Sequence, residues 1–111
     1  MERLATYGTL RPGEQNHGQV SGLRGRWFSG SVRGRLLDVG WGAGYGFPGL
    51  VLDDAGDSIP VEVLESPDLQ AHWDRLDEFE GDEYRRVRVT VATEGGPVDA
   101  FMYVVAPELA V

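Results

Sequence analysis

Apolar residues in this chain come in short runs separated by glycine, and only one stretch repeats at helical spacing. Leu4 and Ala5 belong to a first short strand near residues 2–7. Leu23–Phe28 and Val32–Asp38 read as two further strands, broken by the glycine between them. Gly40, Gly42, Gly44 and Gly46 alternate with Trp41, Tyr45 and Phe47, which predicts a loop up to Pro48. Two readings fit that loop equally, a substrate-flanking segment and a plain surface loop. Leu50–Leu52, a turn over Asp53–Asp57 and Ile59–Leu64 then read as a hairpin, and Pro60 marks its second strand as an edge or a bulge.

The helical stretch opens at Ser66-Pro67-Asp68, with serine as N-cap, proline at the first helical position and an acid complementing the dipole. Leu69, Trp73 and Leu76 follow at i, i+4 and i+7, a single apolar stripe that suits packing on a sheet. The helix is expected to run to about Phe79, with Gly81 as terminator. Beyond it, Tyr84–Thr93 alternates as a strand: Val87, Val89 and Val91 take one face, Tyr84, Arg86, Arg88 and Thr90 the other. Gly95-Gly96-Pro97 turns the chain into a last strand, Val98–Val105. Many short strands and one good helix predict an α+β fold, a strongly curved sheet or small mixed β-barrel with the helix and short helical turns outside.

Composition narrows the chemistry. The 111 residues suit one domain, expected to span residues 1–111, and 41% are hydrophobic. There is no cysteine and no lysine, so thiolate catalysis, disulfides and Schiff-base chemistry are excluded. His17 and His72 are the only imidazoles, too few for a histidine-based metal cluster; no metal or cofactor is expected. A net charge of −8 argues against nucleic acid as a partner. The charge is uneven: residues 1–36 carry six arginines against Glu2 and Glu14, while residues 37–74 hold eight carboxylates and no base. The basic segment fits either a small anionic ligand or arginines on solvated strand edges. No apolar run reaches signal-peptide or membrane-span length, which places the protein in the cytoplasm as an expectation, with no membrane partner.

Two segments carry candidate chemistry. In Tyr7-Gly8-Thr9-Leu10-Arg11-Pro12-Gly13 a glycine turn follows the first strand. Gly8 permits a positive φ and close approach of another molecule, and successive amides in such a turn can converge on a carboxylate or an oxyanion. Taken alone, the turn is ordinary loop chemistry. The second segment is Leu76-Asp77-Glu78-Phe79-Glu80-Gly81-Asp82-Glu83-Tyr84-Arg85-Arg86. Glu80 sits at the helix C-terminal end, where the dipole disfavours a carboxylate, a local conflict that suits a functional placement or a frayed, solvated end.

Together these segments resemble the gamma-glutamylcyclotransferase-like family, which includes gamma-glutamylamine cyclotransferases and AIG2-like proteins. Tyr7 to Leu10 match its Tyr-Gly-Ser/Thr-Leu motif, and Gly13 with Asn16-His17 resembles the continuation. Leu76, Asp77, Glu80 and Gly81 match its Leu-Asp-x-x-Glu-Gly segment; Tyr84 and Arg86 match Tyr-x-Arg. Phe47-Pro48-Gly49-Leu50 resembles its aromatic-Pro-Gly segment. A departure lies at Val61-Glu62, where the family has Gly-Glu.

The resemblance implies a mixed β-barrel and a water-free reaction in which a γ-glutamyl amide closes on itself, releasing 5-oxoproline and an amine. It implies Glu80 as the acid/base, with a carboxyl pKa raised by an apolar collar from Leu76 and Phe79. Tyr7, Gly8, Thr9 and Leu10 would form the cradle for a substrate carboxylate or oxyanion. Tyr84 would line the pocket, and Arg86 would pair with a protein carboxylate or lie exposed on its strand. Tyr103 aligns with a family aromatic, a core tyrosine being the plainer reading. The implied partner is a small γ-glutamyl molecule. A binding-class alternative is a non-catalytic AIG2-like domain that captures a small carboxylate ligand. A phosphate-binding loop over Gly8–Gly13 is disfavoured by the missing lysine.

Overall fold

In the computed structural model, which describes residues 1–46 and 48–109, six strands form one curled sheet with a single α-helix against it. Phe47, part of the aromatic-Pro-Gly segment above, lies outside the described residues. The strands are β1 (Glu2–Thr6), β2 (Arg26–Leu37), β3 (Gly49–Leu52), β4 (Asp57–Ser66), β5 (Tyr84–Val91) and β6 (Val98–Val105), and the helix is α1 (Trp73–Glu80). Their order across the sheet is β3-β2-β4-β1-β6-β5, antiparallel except for the parallel pair β1/β6. The sheet is an α+β half-barrel, as the strand-rich pattern predicted.

Period-two alternation gives the central strands two buried faces. Ala5, Val63, Val89, Val91, Ala100 and Met102 point into the barrel. Their neighbours Leu4, Leu64, Tyr103 and Val105 point outward, where Leu69, Trp73 and Leu76 from the helical segment cover them. The apolar stripe read from the sequence therefore packs on the sheet as expected. Val87, Val89 and Val91 take the barrel side and Tyr84 the helix side.

Four expectations change. The two strands before Gly40 are one twelve-residue strand, β2. Gly30 does not break it: a Cβ there would lie 2.5 Å from Val91 Cγ1 and 2.7 Å from the Ala92 carbonyl oxygen. The glycine marks a close approach, where Ser31 and Ala92 exchange two backbone hydrogen bonds of 2.9 Å and draw the far edge of the sheet against β2. The segments around Leu50–Leu52 and Ile59–Leu64 do not pair with each other, because β2 runs between them and pairs with both. The linking turn crosses the end of β2 at Gly56, where a Cβ would lie 2.4 Å from the Gly34 carbonyl oxygen.

The helix begins seven residues later than Ser66. Ser66 closes β4 and its Oγ accepts the Asp68 N–H at 3.0 Å, while Asp68 itself is held by Arg24 through a 2.8 Å Nη2 contact and a 2.8 Å backbone N–H. The capping serine thus starts a turn that leads into a short 3-10 segment, Leu69–Ala71, before α1. Pro60 lies in an interior strand, but opposite Ser31 and beyond the end of β1. Ser31 spends its own amide and carbonyl on Ala92, so the proline nitrogen interrupts no ladder there. Among the described residues no helix is long and apolar enough to cross a membrane.

Candidate active site

The end of β1, the end of α1 and the starts of β3 and β5 meet around one cavity. Its empty volume is about 430 Å³, mouth included, and its lining includes Tyr7, Gly8, Thr9, Leu10, Glu80 and Tyr84. Leu4, Ala5, Thr6, Trp41, Pro48 and Tyr103 line the rest of it. Six of the seven residues singled out from the sequence thus share one space. The seventh, Arg86, does not line it. Its guanidinium donates to Asp77 through Nε at 2.9 Å and Nη2 at 3.3 Å, and it lies over the Trp73 and Phe101 rings. Of the two readings given to Arg86, the structure shows the pairing with a protein carboxylate, Asp77.

Glu80 is the last residue of α1. Gly81, with φ 80°, ends the helix and returns its N–H to the Asp77 carbonyl at 3.0 Å. The half-buried Glu80 carboxyl faces the cavity, and burial by itself pushes its pKa from 4.5 up to about 7. A carboxyl at that value exchanges protons near neutrality.

The turn after β1 is built by backbone hydrogen bonds. The Gly8 carbonyl accepts the Arg11 N–H at 3.2 Å and Arg11 Nε at 3.1 Å; the Thr9 carbonyl accepts the Asn16 N–H at 3.0 Å. In a trans peptide the N–H points opposite to the carbonyl. Holding those two carbonyls therefore aims the amides of Thr9 and Leu10 the other way. Neither amide donates to a group among the described residues. Asn16 Nδ2 also donates to Thr9 Oγ1 at 3.0 Å, and His17 Nδ1 lies 2.9 Å from the Leu10 carbonyl oxygen. Gly8 itself does not have a positive φ, contrary to expectation; Gly13 does, at 86°. No heavy atom lies within 4 Å of where a Gly8 Cβ would be, so close approach is what this glycine provides.

Around this pair the aromatic side chains act as struts. The Tyr7 hydroxyl donates to the Tyr103 carbonyl at 2.9 Å and accepts the Leu50 N–H at 3.1 Å, fixing β1 to β6 and β3. Burial raises the Tyr7 pKa, so its phenol stays neutral. The Tyr103 hydroxyl donates to Asp77 Oδ1 at 2.6 Å. Burial raises the Asp77 pKa less than hydrogen bonds from Arg86 and Tyr103 lower it, and the carboxylate stays charged. Trp41 Nε1 donates to the Glu80 carbonyl at 2.8 Å, and its ring meets Phe79 and Tyr84 edge-on. A Cβ on Gly40 would lie 2.5 Å from the Tyr84 hydroxyl, so the start of the glycine-rich loop is fitted to that tyrosine.

Asp77, Trp41, Arg11 and Asn16 had no site role assigned from the sequence. Asp77 carried a signal, three residues before Glu80 on the same helix face. Trp41 carried none, because the path of a glycine-rich loop depends on what it packs against.

A model of the family described as gamma-glutamyl cyclotransferase, AIG2-like, matches residues 4–110. The chain belongs to that family. Solved structures agree. YkqA from Bacillus subtilis superposes with a TM-score of 0.72 at 30% identity; 94% of this chain is covered but only 35% of YkqA, so the chain spans about a third of that protein. An AIG2-like protein from Mus musculus gives 0.71 at 25% identity, covering 99% of this chain and 82% of its own. An uncharacterized protein from Pyrococcus horikoshii gives 0.67 at 28%, covering 95% and 78%. Among curated protein sequences, none matches the chain.

Proposed function

We propose that this family member is a gamma-glutamyl cyclotransferase that releases 5-oxoproline and a free amine from a small γ-glutamyl amide. The observation that carries the reading is the pairing, in one cavity, of a carboxyl raised to about 7 with two lining residues, Thr9 and Leu10, whose amides donate to no group among the described residues. The Glu80 carboxylate takes a proton from the substrate's α-ammonium. The freed amine attacks the γ-carbonyl carbon and closes a five-membered ring, and the carbonyl oxygen becomes an oxyanion. Protonated Glu80 then gives its proton to the departing nitrogen, and the oxyanion re-forms the carbonyl as the C–N bond breaks. The regenerated carboxylate passes the proton remaining on the ring nitrogen to the released amine, which leaves as an ammonium. No water is consumed.

An ordinary glutamate near 4.3 facing an α-ammonium near 8 is mismatched by roughly 4 units, about 5 kcal/mol. Raising the carboxyl to about 7 reduces that to roughly one unit. The Thr9 and Leu10 amides suit the oxyanion or the substrate carboxylate, and as neutral donors they do not compete with Glu80 as a counter-charge. Holding one conformer of an intramolecular reaction supplies much of the remaining acceleration.

The test is 5-oxoproline release from γ-glutamyl amines and dipeptides by wild type and Glu80→Gln. The variant is expected to fold and to lose at least ~100-fold in rate. Equal rates in the two proteins would remove Glu80 from the role. Silence from a folded wild type across the panel would favour a domain that only binds a small carboxylate.

A further inference from the structure

Beside the cavity lies a second concavity, an open groove of about 1030 Å³, open solvent included, lined, among the described residues, by Asn16, Trp41, Gly44 and Phe79. It adjoins the cavity: Trp41 lines both, and Phe79 in the groove is the sequence neighbour of Glu80 in the cavity. None of its described lining residues is ionisable. The charged side chains at the end of α1 and the start of β5, Asp77, Glu78, Asp82, Arg85 and Arg86, line a different concavity, which meets the cavity on its other side at Tyr84 and Tyr103.

From this we infer that the groove receives the departing amine and that its substituent is uncharged and apolar, aromatic or branched aliphatic. The inference rests on the cyclotransferase reading above. Trp41 and Phe79 meet edge-on at 5.4 Å, and the Trp41 indole N–H is already given to the Glu80 carbonyl, so the pair offers hydrocarbon surface. Asn16 spends its amide nitrogen on Thr9. A zwitterionic leaving group, such as the backbone end of lysine linked through its ε-nitrogen, would place an ammonium and a carboxylate beside described residues that carry no counter-charge. An apolar substituent gains by leaving water there.

Gly44 supplies the test. Its φ is not positive and, among the described residues, no heavy atom lies within 4 Å of a built Cβ, so a side chain is accommodated without backbone strain at a position that lines the groove. Gly44 does not line the cavity. Full-length wild type and Gly44→Leu are compared for 5-oxoproline release from γ-glutamyl benzylamide, γ-glutamyl methylamide and ε-(γ-glutamyl)lysine. Wild type is expected to favour the benzylamide over the lysine conjugate by roughly tenfold or more in kcat/KM. Gly44→Leu is expected to cut the benzylamide value by about tenfold while leaving the methylamide within about twofold. Preference for the lysine conjugate, or equal loss on benzylamide and methylamide, would overturn the groove assignment and leave the reaction standing. No release from any of the three by a folded wild type would overturn both.

Discussion

A carboxyl at the end of a helix meets the negative pole of the peptide dipoles, and Glu80 is buried there as well. Both effects favour its protonated form, so activity that needs the carboxylate gains an acid limb: kcat/KM is expected to rise with pH through an apparent pKa near 7 and level above it. Stability takes the opposite sign. With the folded-state pKa above the unfolded one, the contribution of Glu80 is fully present below about 4.5 and lost as pH rises through about 7. Glu80→Gln should therefore match wild type near pH 4.5 and exceed it by about 1–3 kcal/mol at pH 8, measured by urea unfolding at both values. Arg11 acts at one remove, holding the Gly8 carbonyl with its guanidinium. Arg11→Ala is expected to lower kcat/KM by about tenfold, the worth of a charge-assisted hydrogen bond, with little change in Tm. Of these residues, Glu80 was legible in position from a glycine stop and an apolar stripe, which fix where a helix ends, and in role from the resemblance of Leu76 to Gly81 to the family segment. Arg11 was not, since what a loop carbonyl accepts depends on how the loop folds back.

Helix α1 is short, and the Asp77 contacts tie it to the sheet. The Asp77 carboxylate gathers the Tyr103 hydroxyl from β6 and the Arg86 guanidinium from β5, one helical turn before Glu80. Tyr103→Phe and Asp77→Asn are each expected to cost about 1–2 kcal/mol in denaturant unfolding, and the double variant less than the sum, because both cut the same contact. A strictly additive double variant would mean that the contact contributes nothing. At this scale the alternation of β5 and β6 and the stripe of the helix were readable, since burial on two faces imposes them. The start of α1 and the pairing of β3 were not. Ser66 and Asp68 have the composition of a helix cap but are recruited by a turn and by Arg24. Leu50–Leu52 lies next to Ile59–Leu64 in sequence, while the longer β2 separates them in space.

At the scale of the whole molecule the sheet curls until Ala92 reaches β2, and Gly30 makes room for that approach. Gly30→Ala is expected to force β2 and the end of β5 apart, costing about 1–3 kcal/mol and lowering Tm by roughly 5–15 °C in calorimetry. Curvature of this kind was foreseeable from many short strands, but the glycine that permits it looked like an interruption. The contact between Ser31 and Ala92 is a latch of two hydrogen bonds, whereas β5 and β6 pair along their whole length. That inequality has a kinetic consequence. The β5–β6 hairpin carries Tyr84 and Tyr103, so each brief release of the latch loosens one wall of the cavity. Amide deuterium uptake at Ser31 and Ala92 should therefore be faster than in the middle of β4, and ligand that fills the cavity should slow it.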